Sequence, residues 1–163
     1  MARLLIVHHS PTSSLQRISD AVVAGATDDA IEGVEVVVRP ALEADAEDVL
    51  AADGYLLGTS ANFGYMSGAL KHFFDTIFLE AGGSLAEDGS AGKGAGGKKP
   101  YGMWVHGRYD TTGAVRSVLS IVQALGWRQV YDVLEVMGDV DDQHLMAARE
   151  LGATLAANVM ADA

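Results

Sequence analysis

Ser10, Thr12, Ser13 and Ser14 bring four hydroxyls together in the stretch RLLIVHHSPTSSL, Arg3 to Leu15. Hydroxyls in such a cluster can donate to an anion. The apolar run Leu4-Leu5-Ile6-Val7 stops at His8 and His9 just before them, and a helical pattern with Leu15, Ile18 and Val22 on one face follows. The hydroxyls therefore stand where a strand ends and a helix begins. Unpaired backbone N–H groups and the positive end of a helix dipole attract negative charge there. The loop lacks glycine and lysine, unlike loops that grip nucleotide triphosphates, so a single phosphate group is the anion it suits. A plainer reading stands beside that one. Ser13 with Gln16 fits an S-x-x-Q capping box, which accounts for one hydroxyl of the four.

Two more polar loops carry chemistry. One opens GTSANFGYMSGALKHFFD, Gly58 to Asp75, and the other is HGRYDTTG, His106 to Gly113. Each follows an apolar run, is short of bulky aliphatics and holds an aromatic: Phe63 and Tyr65 in the first, Tyr109 in the second. Such loops suit a flat heteroaromatic ring, with backbone amides around Ala61–Gly64 at its edge and an aromatic over one face.

These loops need elements to position them. Strands are expected at Leu4–His8, Val34–Val38, Gly54–Thr59, Tyr101–His106 and Val130–Met137, all short, apolar and without clean alternation, as in parallel strands covered on both faces. Helices are expected from Ser14 to about Asp28, Ser67 to about Glu80, Thr112 to Leu125 and Asp141 to about Met160, with a weaker one over Leu42–Ala52. Five βα units imply a three-layer, doubly wound α/β domain over residues 1–163, its five parallel strands in the order 2-1-3-4-5. Ligands in such sheets bind beyond the carboxyl ends of the strands where the order reverses, here between the first and third. The hydroxyl loop and the two polar loops all belong to that edge.

The residues after the three strands resemble the flavodoxin-like FMN-binding family, and most nearly the WrbA-type NAD(P)H:quinone oxidoreductases and related NADPH-dependent FMN reductases. Ser-Pro-Thr-Ser-Ser-Leu, the Gly-Thr and Phe-Gly-x-Met-Ser-Gly turns of Gly58–Asp75, and His-Gly-Arg-Tyr-Asp carry the likeness. The resemblance implies FMN as cofactor, its phosphate on Ser10, Thr12, Ser13, Ser14 and Leu15. The isoalloxazine would be lined by Ser60, Ala61, Asn62, Phe63 and Gly64, and closed from the other side by His106, Gly107, Arg108, Tyr109 and Asp110. It further implies NAD(P)H as donor, a quinone or similar acceptor, and room for a homo-oligomer or a redox protein partner. The flavodoxin-type carrier, without its own nicotinamide site, shares every one of these cofactor motifs and remains the alternative, as does a non-catalytic flavin-binding module. Hydride transfer to flavin needs no acid–base side chain, so no catalytic residue is assigned. Ser60-Ala61-Asn62 replaces the Pro-Thr-Arg turn usual in WrbA-type proteins, and Arg108 is the candidate to supply the missing guanidinium.

Composition narrows the partners. A net charge of -11 opposes nucleic acid and anionic membrane surfaces, while the absence of cysteine removes disulfides and thiolate chemistry. The apolar run that starts the chain leaves no room for a signal peptide, so a cytoplasmic location is expected. His8 and His9 point to opposite faces of a strand with no third ligand at suitable spacing, and no metal site is assigned. His106 fits either a bond into the loop backbone or contact with the ring. Trp104 and Trp127 read as core aromatics. A phosphorelay receiver would need an acidic pair after the first strand, where His8-His9 stands, and a low-molecular-weight tyrosine phosphatase would need a cysteine. The glycine-rich segment 81–99 mimics GxGxxG at Gly92, Gly94 and Gly97, but precedes a strand instead of following one. It is expected to be a mobile surface loop, a lid or a partner contact, and its Lys93, Lys98 and Lys99 are either solvated or a lure for NAD(P)H phosphates.

Overall fold

A computed structural model describes residues 1–92 and 94–163. Lys93 lies outside the described residues. Strand β1 (Ala2–His8) sits at the centre of a parallel sheet between β2 (Val34–Pro40) and β3 (Gly54–Asn62), and β5 (Pro100–Gly107) follows β3. Alternation along β1 divides the core. Leu4 and Ile6 face α1 (Ser13–Ala26) and α5 (Asp142–Asp162), packing with Ile18, Val22, Trp104, Leu151 and Leu155. Leu5 and Val7 face the other way, onto Leu70, Phe73 and Phe74 of α3 (Gly68–Ile77) and Val118 and Val122 of α4 (Thr112–Leu125). The short α2 (Ala46–Ala51) adds Val49 to this second layer. Trp104 and Trp127 are both buried, the latter stacked on Tyr55 with ring centroids 3.9 Å apart.

The sheet departs from the expected five strands. Among the described residues it has seven, in the order β2-β1-β3-β5 and then β6 (Arg128–Gln129), with β4 (Tyr65–Met66) on β3 and β7 (Leu134–Met137) on β5. Two local events cause the difference. First, β3 outlasts its parallel neighbour: after Ser60 pairs with His106, Ala61 and Asn62 fold back in an antiparallel pair with Met66 and Tyr65. Second, of the expected fifth strand, Val130–Met137, only β7 is strand, and the short β6 lies just before Val130. Tyr101 pairs with Gln129, an offset of 28, whereas Trp104 pairs with Leu134, an offset of 30, so the edge holds two extra residues. Such a bulge on an edge strand bends it and spoils it as a template for another chain. The parallel, doubly wound core is as expected. Among the described residues no helix is long and apolar enough to cross a membrane.

Candidate functional site

The register places the three loops side by side. His8 pairs with Gly58 and Ser60 with His106, so the chain leaves β1, β3 and β5 at one edge. The amide of His9 donates to the Gly58 carbonyl at 3.1 Å, which ties the start of the first loop to β3.

In the first loop the cap of α1 is Thr12, whose Oγ1 accepts from the Leu15 amide at 3.2 Å. The expected Ser13–Gln16 capping box is therefore not formed. Gln16 instead reaches back, its Nε2 donating to the Ser10 carbonyl at 3.4 Å, and its amide is held by the Thr12 carbonyl at 2.9 Å. Two residues in the sequence could cap, and the extended backbone at Thr12, φ -115° and ψ 158°, decides between them. Ser13 and Ser14 become the first helical residues, and their amides have no intrahelical partner. Thr12 and Ser13 are exposed, Ser14 half-buried, and Leu15 anchors the turn in the core. Ser10 is held from behind, with its Oγ 2.8 Å from His8 Nδ1 and 2.6 Å from Ser19 Oγ.

The second loop is a tight hairpin, not the open loop expected over Ser60–Gly64. Phe63 and Gly64 alone turn the chain, with φ of 51° and 75°. Two positive values in succession match the I′ geometry that suits the twist of paired strands. A phenylalanine in this region is strained, at roughly 1–3 kcal/mol. Its side chain is fully exposed at 108%. The base of the hairpin is pinned by Thr59, whose Oγ1 donates to the Ser60 carbonyl at 2.8 Å and accepts from the Ser67 amide at 2.9 Å. Ser67 in turn caps α3 by accepting from the Leu70 amide. The Ser60 hydroxyl is buried beneath the edge without a partner.

The third loop leans on the second. A Cβ at Gly107 would meet the Ala61 methyl at 3.1 Å, and a Cβ at Gly113 would fall on the Gly64 carbonyl oxygen. Tyr109 projects at 96% exposure, as free as Phe63 to lie against a ring. His106 does not project. It is buried, and its Nε2 donates to the Gly138 carbonyl at 2.7 Å, resolving its two readings in favour of the backbone bond. Arg108 is drawn sideways to Asp139 at 2.9 Å, and that guanidinium hydrogen bond holds the Asp139 carboxyl below the usual range. Asp110 caps the turn into α4, and the Thr112 amide bonded to it lowers its carboxyl likewise.

A fourth loop, Gly138 to Asp141, went unread in the sequence. It receives His106 and Arg108, and the Gly138 amide donates to the Gly107 carbonyl at 2.8 Å. Gly138 itself, at φ 79°, was the available signal: a glycine directly after the last strand.

The glycine-rich segment sits elsewhere. It follows α3 and precedes β5, so both its ends lie at the amino edge of the sheet, about 23 Å along β5 from the three loops at 3.3 Å per residue, while Leu85, Gly89 and Ala91 line a cavity with Lys71 and Phe74 of α3. It is also tied down there: Ser84 and Gly96 amides bond the Ala124 and Leu125 carbonyls at the end of α4. Lys99 Nζ donates to the Ala52 carbonyl at 2.7 Å, and Lys98 lines a cavity of about 890 Å³ with Trp127 and Arg128. Lys98 and Lys99 therefore stand at the opposite edge of the sheet from the three loops, which favours the first of their two readings, solvated lysines, over a lure for nucleotide phosphates.

No protein-family model matches the chain. Over 138 residues it is 30% identical to a flavodoxin of Aquifex aeolicus (strain VF5), a match covering 85% of this chain and 69% of that relative. It is 26% identical over 132 residues to an NAD(P)H dehydrogenase (quinone) of Acidithiobacillus ferrooxidans (strain ATCC 53993 / BNL-5-31), covering 69% of this chain and 62% of the relative. The chain therefore spans less than two thirds of that second protein. Among solved structures, the flavodoxin, WrbA-like protein from Agrobacterium tumefaciens matches over 99% of both chains with a TM-score of 0.72 and 19% identity, a likeness of fold.

Proposed function

The chain belongs to the flavodoxin-like family, and from that premise we propose that it binds FMN at the carboxyl edge of its sheet and passes electrons from NAD(P)H to a quinone or similar acceptor. One observation carries the cofactor reading. Exposed hydroxyls and the unpaired amides of Ser13 and Ser14 stand at the start of α1, beside two loops whose tips offer Phe63 and Tyr109 fully to solvent. The first group suits a phosphate dianion and the second a flat apolar ring. The partnerless Ser60 hydroxyl adds a polar atom at the same edge.

Bound FMN would supply the hydride acceptance and electron release that no side chain here provides. The chain's own residues bind and orient it. Thr12, Ser13 and Ser14 would hold the phosphate and the Phe63–Gly64 turn and Tyr109 would bracket the ring, while Asp110 and His106 fix the third loop through backbone bonds. Arg108, whose pair with Asp139 is exposed and therefore weak, completes the third loop's side of the proposed site. The quinone-reductase relative favours the enzyme, and the flavodoxin relative favours a carrier that takes electrons from a protein partner. A chain carrying -11 would dock a basic redox partner in either case, in keeping with a cytoplasmic role.

Cofactor selectivity tests the reading. Titration of the protein with FMN, FAD and riboflavin should show FMN binding tightest, with riboflavin weaker by on the order of a hundredfold because it lacks the phosphate. Equal affinity for riboflavin and FMN would remove the hydroxyl loop from the site.

A further inference from the structure

Ser10 is the one hydroxyl of its loop already engaged inside the protein. Its Oγ lies 2.8 Å from His8 Nδ1 and 2.6 Å from Ser19 Oγ, and Ser19 is buried. A serine hydroxyl has one proton and two acceptor lone pairs. If His8 Nδ1 carries no proton, Ser10 must donate its own to that nitrogen, and nothing remains to offer an anion. If Nδ1 carries a proton, it donates to Ser10 Oγ. Ser19 can also donate there, and the Ser10 proton is then free to turn outward.

We infer that His8 is a positioning residue for the phosphate site: a proton on its Nδ1 converts Ser10 from an internal donor into a donor available to the anion on the hydroxyl loop. This rests on the FMN reading above, and it adds a residue that touches no ligand. His8 acts through Ser10 alone.

The surroundings of His8 make its proton responsive. On α1, Asp20 favours the charged ring, while burial of the ring and the neighbouring His9 oppose it, burial most, so the imidazole ionises below its ordinary value. Across the sheet His8 pairs with Pro40 on β2 and Gly58 on β3, neither charged. Trp104 on β5 stands 6.1 Å away, ring to ring. Arg17 on α1 is held on the Val140 carbonyl, and Arg39 on β2 is paired with Asp48. A phosphate arriving at the loop is therefore the new charge His8 would meet. A neutral ring can place its one proton on either nitrogen, but the charged ring always carries one on Nδ1 and also attracts the phosphate, so binding raises the imidazole pKa. Affinity is then gained at low pH and lost as pH rises through the bound-state value.

The test follows the His8 ring by nitrogen NMR in the full chain, with and without FMN, alongside FMN affinity from pH 5.5 to about 8.5. Wild-type protein should show Nδ1 protonated in the complex and an imidazole pKa raised by about one unit or more on binding, a tenfold linkage. His8→Phe removes the nitrogen that takes the Ser10 proton. Its FMN affinity should lie close to wild type at low pH and be several-fold tighter than wild type at high pH, so the ratio of the two dissociation constants, variant over wild type, falls as pH rises. The second ionisation of the FMN phosphate, near pH ~6, affects both proteins alike and cancels in that ratio. His8→Asn sets an amide near the Nδ1 position that can turn its N–H toward Ser10 at any pH, and it should bind FMN without the titration. Riboflavin, lacking phosphate, should leave the His8 pKa where it was. FMN binding with an unmoved His8 pKa and a pH-independent ratio would overturn the inference while sparing the cofactor reading. No FMN binding at any pH would overturn both.

Discussion

With Thr12 and Ser14 both replaced by alanine, FMN should bind on the order of a hundredfold more weakly while riboflavin binds as before. Each hydroxyl bonded to a charged phosphate contributes about 1.5–3 kcal/mol, and the exposure of Thr12 keeps the pair near the low end, about 3 kcal/mol. At about 1.4 kcal/mol per decade that is two decades in affinity. The double variant has a second consequence, because Thr12 Oγ1 also caps α1. Loss of that cap should lower stability by about 1 kcal/mol, a fall of roughly 2–4 °C in Tm. Ser14→Ala keeps the cap and separates the two effects: it should weaken FMN without moving the Tm. Calorimetric titration and thermal unfolding measure both. A double variant that loses Tm yet keeps its FMN affinity would reduce the loop to a helix start.

Gly113→Ala should disturb the ring side of the site instead. Its Cβ would coincide with the Gly64 carbonyl oxygen, a backbone atom that no rotamer change can clear. Either α4 or the Phe63–Gly64 turn must shift. Overpacking of this kind costs about 1–3 kcal/mol, part of it offset by the better helix propensity of alanine. The turn is the weaker of the two, since it already carries positive φ at Phe63. Flavin affinity should fall on the order of tenfold, and FMN and riboflavin should lose equally because the ring contact is common to both. Gly68→Ala is the control: it also adds a methyl at a helix start near this edge, but into open space, and should change neither. An unaltered flavin affinity in Gly113→Ala would mean that the Phe63 turn lies away from the ring.

Much of this arrangement is legible in the sequence because the local rules agree. Helix α4 runs from Thr112 to Leu125 as read, since Asp110 and Thr111 precede it and Gly126 takes the left-handed φ of 79° that ends it. The β1 run ending at His8, and the hydroxyls after it, are equally plain. What escaped the reading depends on partners distant in sequence. Val130 to Met137 looks like one strand because it is rich in β-branched and apolar residues, and only the register against β5 shows the two-residue excursion around Tyr131 and Asp132. The choice of Thr12 over Ser13 as cap turns on where the chain leaves extended geometry, which two adjacent hydroxyls leave undecided. The exposed pair of Arg108 with Asp139, 31 residues away, is likewise invisible in the local sequence. The ends of the glycine-rich segment are legible from topology alone, since a connection from α3 to β5 begins and ends at the amino edge of a parallel sheet.

Electron transfer from a nicotinamide nucleotide is the core of the proposed function, and the visible spectrum of FMN-loaded protein under anaerobic conditions tests it most directly. Addition of NADH or NADPH should bleach the flavin absorbance within seconds, and benzoquinone should then restore it, the cycle repeating over many turnovers. If neither nucleotide bleaches the bound flavin while dithionite does, the protein has no productive nicotinamide site and is a flavodoxin-type carrier, not an NAD(P)H-dependent oxidoreductase.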